Sequence, residues 1–73
     1  MAIHRIESQV TGTVWKLERR NGDAVGEGDT ILIIESMKME IPLDAPAAGT
    51  LRELLVAEGD SVSEGQVLAV VAS

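Results

Sequence analysis

Apolar residues along the chain are concentrated in short runs that glycine-containing turns separate. The clearest runs cover residues 12–17, 31–34, 49–56 and 67–71. They are rich in β-branched and aliphatic residues and are short enough for buried strands, so they predict β-structure. No helical period is present, and Pro42 and Pro46 disfavour a helix in the segment that joins the two halves of the chain. The pattern therefore predicts an all-β fold.

The two halves of the chain are related by an internal repeat with a constant offset of 37 residues. Residues 12–36 align with residues 49–73 without a gap, and nine of the 25 aligned positions are identical. Self-similarity of this kind indicates one supersecondary unit that is used twice. We therefore expect a single domain over residues 1–73, with an internal repeat formed by residues 1–36 and 38–73.

Turn residues recur at the same places in both halves. Residues 21–23 and 58–60 each contain a Gly-Asp pair, in which glycine supplies the positive φ of a tight turn. Asp23 and Asp60 are expected to accept hydrogen bonds from the turn backbone. Two four-stranded halves that face each other would bury one apolar layer, as a sandwich or a flattened barrel. Six glycines are expected to serve turns or close strand approach: Gly12, Gly22, Gly28, Gly49, Gly59 and Gly65.

Composition excludes several classes of function. The chain has no cysteine, and His4 is its only histidine, which excludes disulfides, thiolate sites and a multi-histidine metal site within one chain. Its formal net charge of −6 argues against nucleic-acid binding. No apolar run is long enough to span a membrane, and no signal segment opens the chain. We expect a cytoplasmic protein that is a monomer in isolation and binds neither nucleic acid nor membrane.

The repeat also identifies one segment that has no counterpart elsewhere in the chain. Extending the offset backwards pairs Met1 with Lys38, so residues 36–38 join the halves at a place whose counterpart holds only the chain termini. This link is predicted to be a tight hairpin tip. Lys38, one of only two lysines in the chain, would then stand far from the core. The other lysine, Lys16, falls inside a predicted strand.

The segment around Lys38 contains the candidate chemistry. If the segment is an extended strand, Met37 and Met39 flank Lys38 and point away from it. Their flexible apolar side chains would then surround the amine on a surface that faces a partner. Glu35 and Glu40 add negative charge. A nucleophilic lysine needs burial or nearby cations, whereas the neighbours here are carboxylates. The amine therefore suits acylation by a separate enzyme. A solvated lysine beside methionines at the edge of the core is the alternative interpretation.

The segment Glu-Ser-Met-Lys-Met-Glu, midway in a duplicated chain with Gly-Asp-x-Val-x-Glu-Gly turns, resembles the biotinyl/lipoyl attachment domain family. It is most similar to the biotin carboxyl carrier type, whose hallmark is Met-Lys-Met. Lipoyl domains of the family typically have Asp before the lysine and Ala after it, where this chain has Met37 and Met39. The resemblance implies a flattened barrel of two four-stranded antiparallel sheets with quasi-twofold symmetry, a barrel-sandwich hybrid.

The same resemblance implies a carrier function and no catalytic residues. Biotin protein ligase would attach biotin to Lys38, and the biotin would carry a carboxyl group from a biotin carboxylase to a carboxyltransferase. Met37, Met39, Glu35 and Glu40 would contribute to recognition by the ligase. A lipoyl carrier with lipoate on the same lysine, or an unmodified interaction module, are the alternatives. An independent enzyme is disfavoured, because the chain offers no acid–base pair, metal cluster or activated nucleophile.

Two smaller expectations concern the rest of the chain. The gapless repeat leaves no room for the inserted thumb of some acetyl-CoA carboxylase carriers, and the Met-Ala start favours a free-standing carrier over an excised domain. Trp15 is equivalent to Arg52 in the repeat, which predicts a partly exposed tryptophan. Neither His4 nor the Arg19-Arg20 pair is assigned a role.

Overall fold

The computed structural model describes residues 2–73, which form eight β-strands and no helix. The strands are β1 (Ile3–Glu7), β2 (Gly12–Leu17), β3 (Ala24–Val25), β4 (Thr30–Ser36), β5 (Met39–Asp44), β6 (Gly49–Leu54), β7 (Ser61–Val62) and β8 (Val67–Ala72). The prediction of an all-β fold is confirmed. Over this part of the chain there is accordingly no helical segment with the length and hydropathy of a membrane span.

The strands form two antiparallel sheets of four strands each. The terminal sheet has the order β1-β8-β6-β3, and the hairpin sheet has the order β5-β4-β2-β7. Adding the 37-residue offset converts each strand of the first half into one of the second, β1 into β5 and β2 into β6 for example. The same operation exchanges the two sheets, which is the quasi-twofold symmetry that the family resemblance implies.

The expectation that each half forms its own four-stranded layer is wrong. Each sheet combines two strands from either half: β1 and β3 lie with β6 and β8, while β2 and β4 lie with β5 and β7. The physical reason is that, within each half, successive strands alternate between the sheets, so each half contributes apolar side chains to both layers of the core. The halves are therefore interleaved, and neither has a complete sheet of its own.

The core lies between the two sheets and consists of aliphatic side chains. Symmetry-related pairs are fully buried together, among them Val14 with Leu51 and Ile31 with Leu68. Complete burial of such a side chain stabilises the fold by about 1.5–3 kcal/mol. The buried apolar residues are Ile6, Val14, Val25, Ile31, Leu32, Ile34, Leu43, Ala45, Leu51, Val62, Leu68, Ala69 and Val71.

The turns form as the sequence predicts. Gly22 and Gly59 have φ values of 91° and 93°, which only glycine adopts without steric cost. The Asp23 carboxylate accepts a hydrogen bond from the backbone N–H of Arg20 at 2.9 Å, and Asp60 repeats this bond in the second half. Gly12 has a different role, because a Cβ atom there would overlap the carbonyl oxygen of Glu35 in the neighbouring strand. The structural assignment of these glycines is confirmed.

Candidate functional site

One connection between successive strands stays within a single sheet. In the described chain, β4 and β5 pair as a hairpin, whereas each other connection crosses between the sheets. Ser36 and Met39 form the last cross-strand pair, so only Met37 and Lys38 lie in the turn. The structure thus places Lys38 at a hairpin tip, where the internal repeat predicts it.

The position related to this tip by the repeat has no turn, which makes the tip unique among residues 2–73. There, β1 and β8 pair in the same way, but the chain ends instead of turning. The backbone N–H of Ala2 donates to the carbonyl oxygen of Ser73 at 3.1 Å, and the N–H of Ser73 donates to that of Ala2 at 2.9 Å. Ala2 and Ser73 are the equivalents of Met39 and Ser36. The closed tip that carries Lys38 therefore has the chain termini as its counterpart.

The turn has an unusual backbone conformation for its residues. Met37 and Lys38 have φ values of 52° and 65°, which is the left-handed region. Two-residue hairpin turns with positive φ at both central positions normally contain Asn-Gly or Asp-Gly. A residue with a Cβ atom pays about 1–2 kcal/mol there. The expectation that Met37 and Met39 alternate about Lys38 as in a strand is wrong, because Met37 and Lys38 are turn residues.

Met37→Asn is expected to stabilise the domain, because asparagine tolerates the left-handed conformation better than methionine does. We expect the free energy of unfolding to rise by about 0.5–1 kcal/mol, measured by urea denaturation. Met39→Asn is the matched control, since Met39 lies in an extended strand where asparagine is unfavourable. An equal gain in both variants, or a loss in Met37→Asn, would contradict the assigned turn conformation.

Both methionines beside Lys38 are exposed to solvent. Met37 is 92% exposed and Met39 is 63% exposed, so the alternative in which they pack at the edge of the core is wrong. Lys38 is exposed as well. Within residues 2–73 the ion pairs are Lys16–Glu18 at 3.7 Å and Arg19–Asp29 at 3.9 Å. The Lys38 amine is in neither pair and is accessible to a partner.

Glu35 and Glu40 lie directly opposite each other below the turn. Both are exposed, and neither takes part in the ion pairs of the described residues. Like charges at directly opposed positions of antiparallel strands destabilise the pairing. The hairpin thus presents two neighbouring carboxylates beside the lysine, at a small cost in stability.

Ser36 anchors the base of the hairpin, a role that the sequence analysis missed. Its hydroxyl donates a hydrogen bond to the carbonyl oxygen of Thr11 at 2.9 Å, in the connection between β1 and β2. The repeat gave no signal for this bond, because the hydroxyl of the identical Ser73 lies instead 3.3 Å from Nε2 of His4, and Thr11 is distant in sequence from Ser36. The bond ties the last residue of β4 to the body of the domain.

The described residues contain no cluster of three or more His, Cys, Asp or Glu side chains that could hold a metal ion. What the site offers is an exposed primary amine on a short, anchored hairpin. Such an arrangement suits covalent modification by another enzyme.

Comparison with known proteins agrees with this geometry. The model of a family described as "Biotin-requiring enzyme", which covers biotin and lipoyl attachment domains, matches residues 3–71. The chain belongs to the biotin/lipoyl attachment family. Members of this family are carrier domains, and the domain has no catalytic activity of its own. The fold and family that the sequence predicts are therefore confirmed.

Similar proteins include small proteins and large carboxylases. The chain is 43% identical over 49 residues to the "Biotin/lipoyl attachment protein" of Bacillus subtilis, with 67% of either chain covered. It is 34% identical over 67 residues to the "Biotinylated protein TB7.3 homolog" of Mycobacterium leprae, covering 92% of this chain and 94% of that protein. The urea carboxylase structure from Kluyveromyces lactis superposes with a TM-score of 0.92 at 35% identity, covering 99% of this chain and 6% of that one.

Proposed function

We propose that the chain is a biotin carboxyl carrier in which Lys38 bears the biotin. The observation that carries the proposal is the exposed Lys38 amine in the closed two-residue turn between β4 and β5. In the modification, the neutral amine of Lys38 attacks the carboxyl carbon of biotin that a biotin protein ligase has activated with ATP. An amide C–N bond forms, and the C–O bond to the activating group breaks. That group leaves with the electron pair, and the amine loses a proton to solvent.

The residues of the hairpin suit the attachment of biotin. Attached biotin supplies a ureido ring that accepts a carboxyl group at a biotin carboxylase and delivers it at a carboxyltransferase. The protein's part is to present the lysine on a rigid support: Ser36 ties the hairpin to Thr11, and the two-residue turn fixes the direction of the Lys38 Cα–Cβ bond. A tethered group is also held at high effective concentration near each partner enzyme.

Lipoate is the second candidate group, because the relative from Bacillus subtilis is named for both biotin and lipoyl attachment. Met37 and Met39 favour biotin, as does the biotinylated relative from Mycobacterium leprae. The deciding experiment offers the purified domain to a biotin protein ligase and, separately, to a lipoate protein ligase, each with ATP and its acid. Intact mass is expected to show a biotinyl increment that forms much faster than a lipoyl increment. Lipoylation alone would contradict the proposal.

We assign recognition by the ligase to four side chains around Lys38: Met37, Met39, Glu35 and Glu40. The methionines offer exposed, flexible apolar surface, which adapts well to a partner. The carboxylates of Glu35 and Glu40 offer paired negative charge on one side of the hairpin. Basic side chains of the ligase would offset the repulsion between them.

Reversing these charges is expected to slow modification without unfolding the domain. For Glu35→Lys/Glu40→Lys we expect kcat/KM of the ligase to fall about tenfold at low salt, with a smaller effect at high salt because the interaction is screened. Glu27→Lys/Glu53→Lys is the matched control, since both residues are exposed acids outside the hairpin sheet: Glu27 lies in the turn after β3 and Glu53 in β6. An equal fall in that control would show general electrostatic attraction and refute specific recognition at Glu35 and Glu40.

A further inference from the structure

The sulfur atoms of the chain are concentrated at the hairpin tip. The sequence has three methionines and no cysteine, and two of the three methionines, Met37 and Met39, are the immediate neighbours of Lys38. Residues 2–73 contain no other sulfur atom. A reagent that is selective for thioethers therefore modifies this part of the chain only beside Lys38.

Both thioethers are open to solvent. Methionine is among the residue types that folded proteins bury most often, yet Met37 is 92% exposed and Met39 is 63% exposed. Neither side chain belongs to the core between the sheets. Small solutes therefore reach both sulfur atoms, and Met37 is the more accessible of the two.

The backbone at Met37 indicates that methionine is not at this position for stability. Its φ of 52° lies in the left-handed region, where asparagine or glycine is the ordinary residue of a two-residue hairpin turn. A residue held in an unfavourable conformation at a site of modification points to a function of its side chain. The chemical property that separates methionine from other flexible apolar side chains is the oxidisable sulfur.

We propose that Met37 and Met39 form a redox modification site, at which hydrogen peroxide converts the thioethers to sulfoxides and thereby slows biotinylation of Lys38. Oxidation turns a flexible apolar side chain into a polar one. The sulfoxide oxygen would have to lose its water at the contact with the ligase, which is unfavourable unless a donor replaces that water. The inference rests on the proposed function, because it assumes that the ligase recognises the two methionines.

The reaction is balanced with the peroxide as its only co-reactant. The sulfur lone pair forms a bond to one peroxide oxygen, the O–O bond breaks, and the second oxygen leaves with the bonding pair. It takes the proton of the new S–OH group and departs as water. Sulfur is oxidised by two electrons and the peroxide is reduced. A methionine sulfoxide reductase reverses the change: the oxygen leaves as water, and a dithiol is oxidised to a disulfide.

The first measurement locates the oxidation. The unmodified domain is treated with hydrogen peroxide and analysed by peptide mapping over time, with N-acetylmethionine amide as the standard for a free thioether. We expect oxygen on Met37 before Met39, with Met37 oxidised at a rate within about threefold of the standard. The oxidised domain is expected to melt as the untreated domain does, because neither side chain is in the core. Thioethers that stay unoxidised while the standard reacts completely would overturn the proposal.

The second measurement is kcat/KM of the biotin protein ligase, taken after catalase has removed the peroxide. For the oxidised wild type we expect a fall of about tenfold, as for a polar group that enters an apolar contact without a hydrogen bond. Treatment with both methionine sulfoxide reductases, one for each epimer, is expected to restore the rate. Met37→Leu/Met39→Leu is the matched control, which retains the half-exposed Trp15. Peroxide is expected to leave kcat/KM of this variant at its own untreated value.

The untreated domain separates this proposal from the proposed function. Absence of a biotinyl increment on untreated protein refutes the carrier assignment before any oxidation is made. If the untreated domain is biotinylated, an equal kcat/KM for untreated and fully oxidised protein overturns the redox site. An equal fall in the Met37→Leu/Met39→Leu control overturns it as well, because the loss would then come from another residue.

Discussion

Lys38→Arg is expected to abolish biotin attachment while leaving the fold unchanged. The guanidinium group of arginine is not deprotonated in proteins, so it provides no nucleophilic lone pair to the ligase. The side chain at this position is exposed and takes part in none of the ion pairs of residues 2–73, so little stability depends on it. Intact mass after incubation with biotin, ATP and a biotin protein ligase is the measurement.

Lys16→Arg is the control for this prediction. Lys16 lies within β2 and pairs with Glu18 at 3.7 Å, so it lacks the geometry of a protruding turn. We expect one biotinyl increment on this variant at the wild-type rate. A biotinyl increment on the Lys38→Arg protein, for example at Lys16, would contradict the assignment of Lys38.

Gly12→Ala is expected to lower the free energy of unfolding by about 1–3 kcal/mol. The added Cβ would overlap the carbonyl oxygen of Glu35, and it would lie 3.0 Å from Cγ2 of Ile34 and 3.2 Å from Cβ of Ser36. Backbone cannot move aside as the end of a flexible side chain does, so β4 must shift away from β2. The change therefore strains the strand that leads to Lys38. Urea denaturation of the unmodified domain measures the loss.

Gly26→Ala provides the comparison for Gly12→Ala. The nearest atom to a Cβ at Gly26 is Oδ2 of Asp29 at 3.5 Å, which is ordinary van der Waals contact. The equivalent position in the second half is Ser63, so the fold accepts a side chain at this point. We expect Gly26→Ala to leave stability within about 0.5 kcal/mol of the wild type. Similar losses in both variants would refute steric conflict at Gly12 as the cause.

Much of the fold was predictable because the chain carries the same pattern twice. The gapless repeat predicted which turns correspond and placed Lys38 between the halves. Four strands escaped detection, β1, β3, β5 and β7. Each buries a single side chain, which is too little for a hydrophobic run: Ile6, Val25, Leu43 and Val62 respectively. The pairing of strands across halves was also missed, because equivalent strands have similar patterns and nothing local selects the partner.

The candidate site was predictable in position but not in conformation. The chemistry of an amine between two methionines was visible in the segment around Lys38. The left-handed conformation of Met37 and Lys38 was not, because neither residue favours it, and the closing pair of Ser36 and Met39 imposes it. The hydrogen bond between Ser36 and Thr11 joins residues 25 positions apart, so nothing in the local sequence predicts it. The exposure of Trp15, by contrast, followed from its equivalence to Arg52, and at 47% exposure it is confirmed.

The central claim is that Lys38 carries biotin, and its most direct test is the mass of the wild-type domain after reaction with biotin, ATP and a biotin protein ligase. Peptide mapping then locates the modification. We predict a single biotinyl increment, located on Lys38. No increment on folded protein with a ligase proven active on another substrate, or an increment located on Lys16, would contradict the claim.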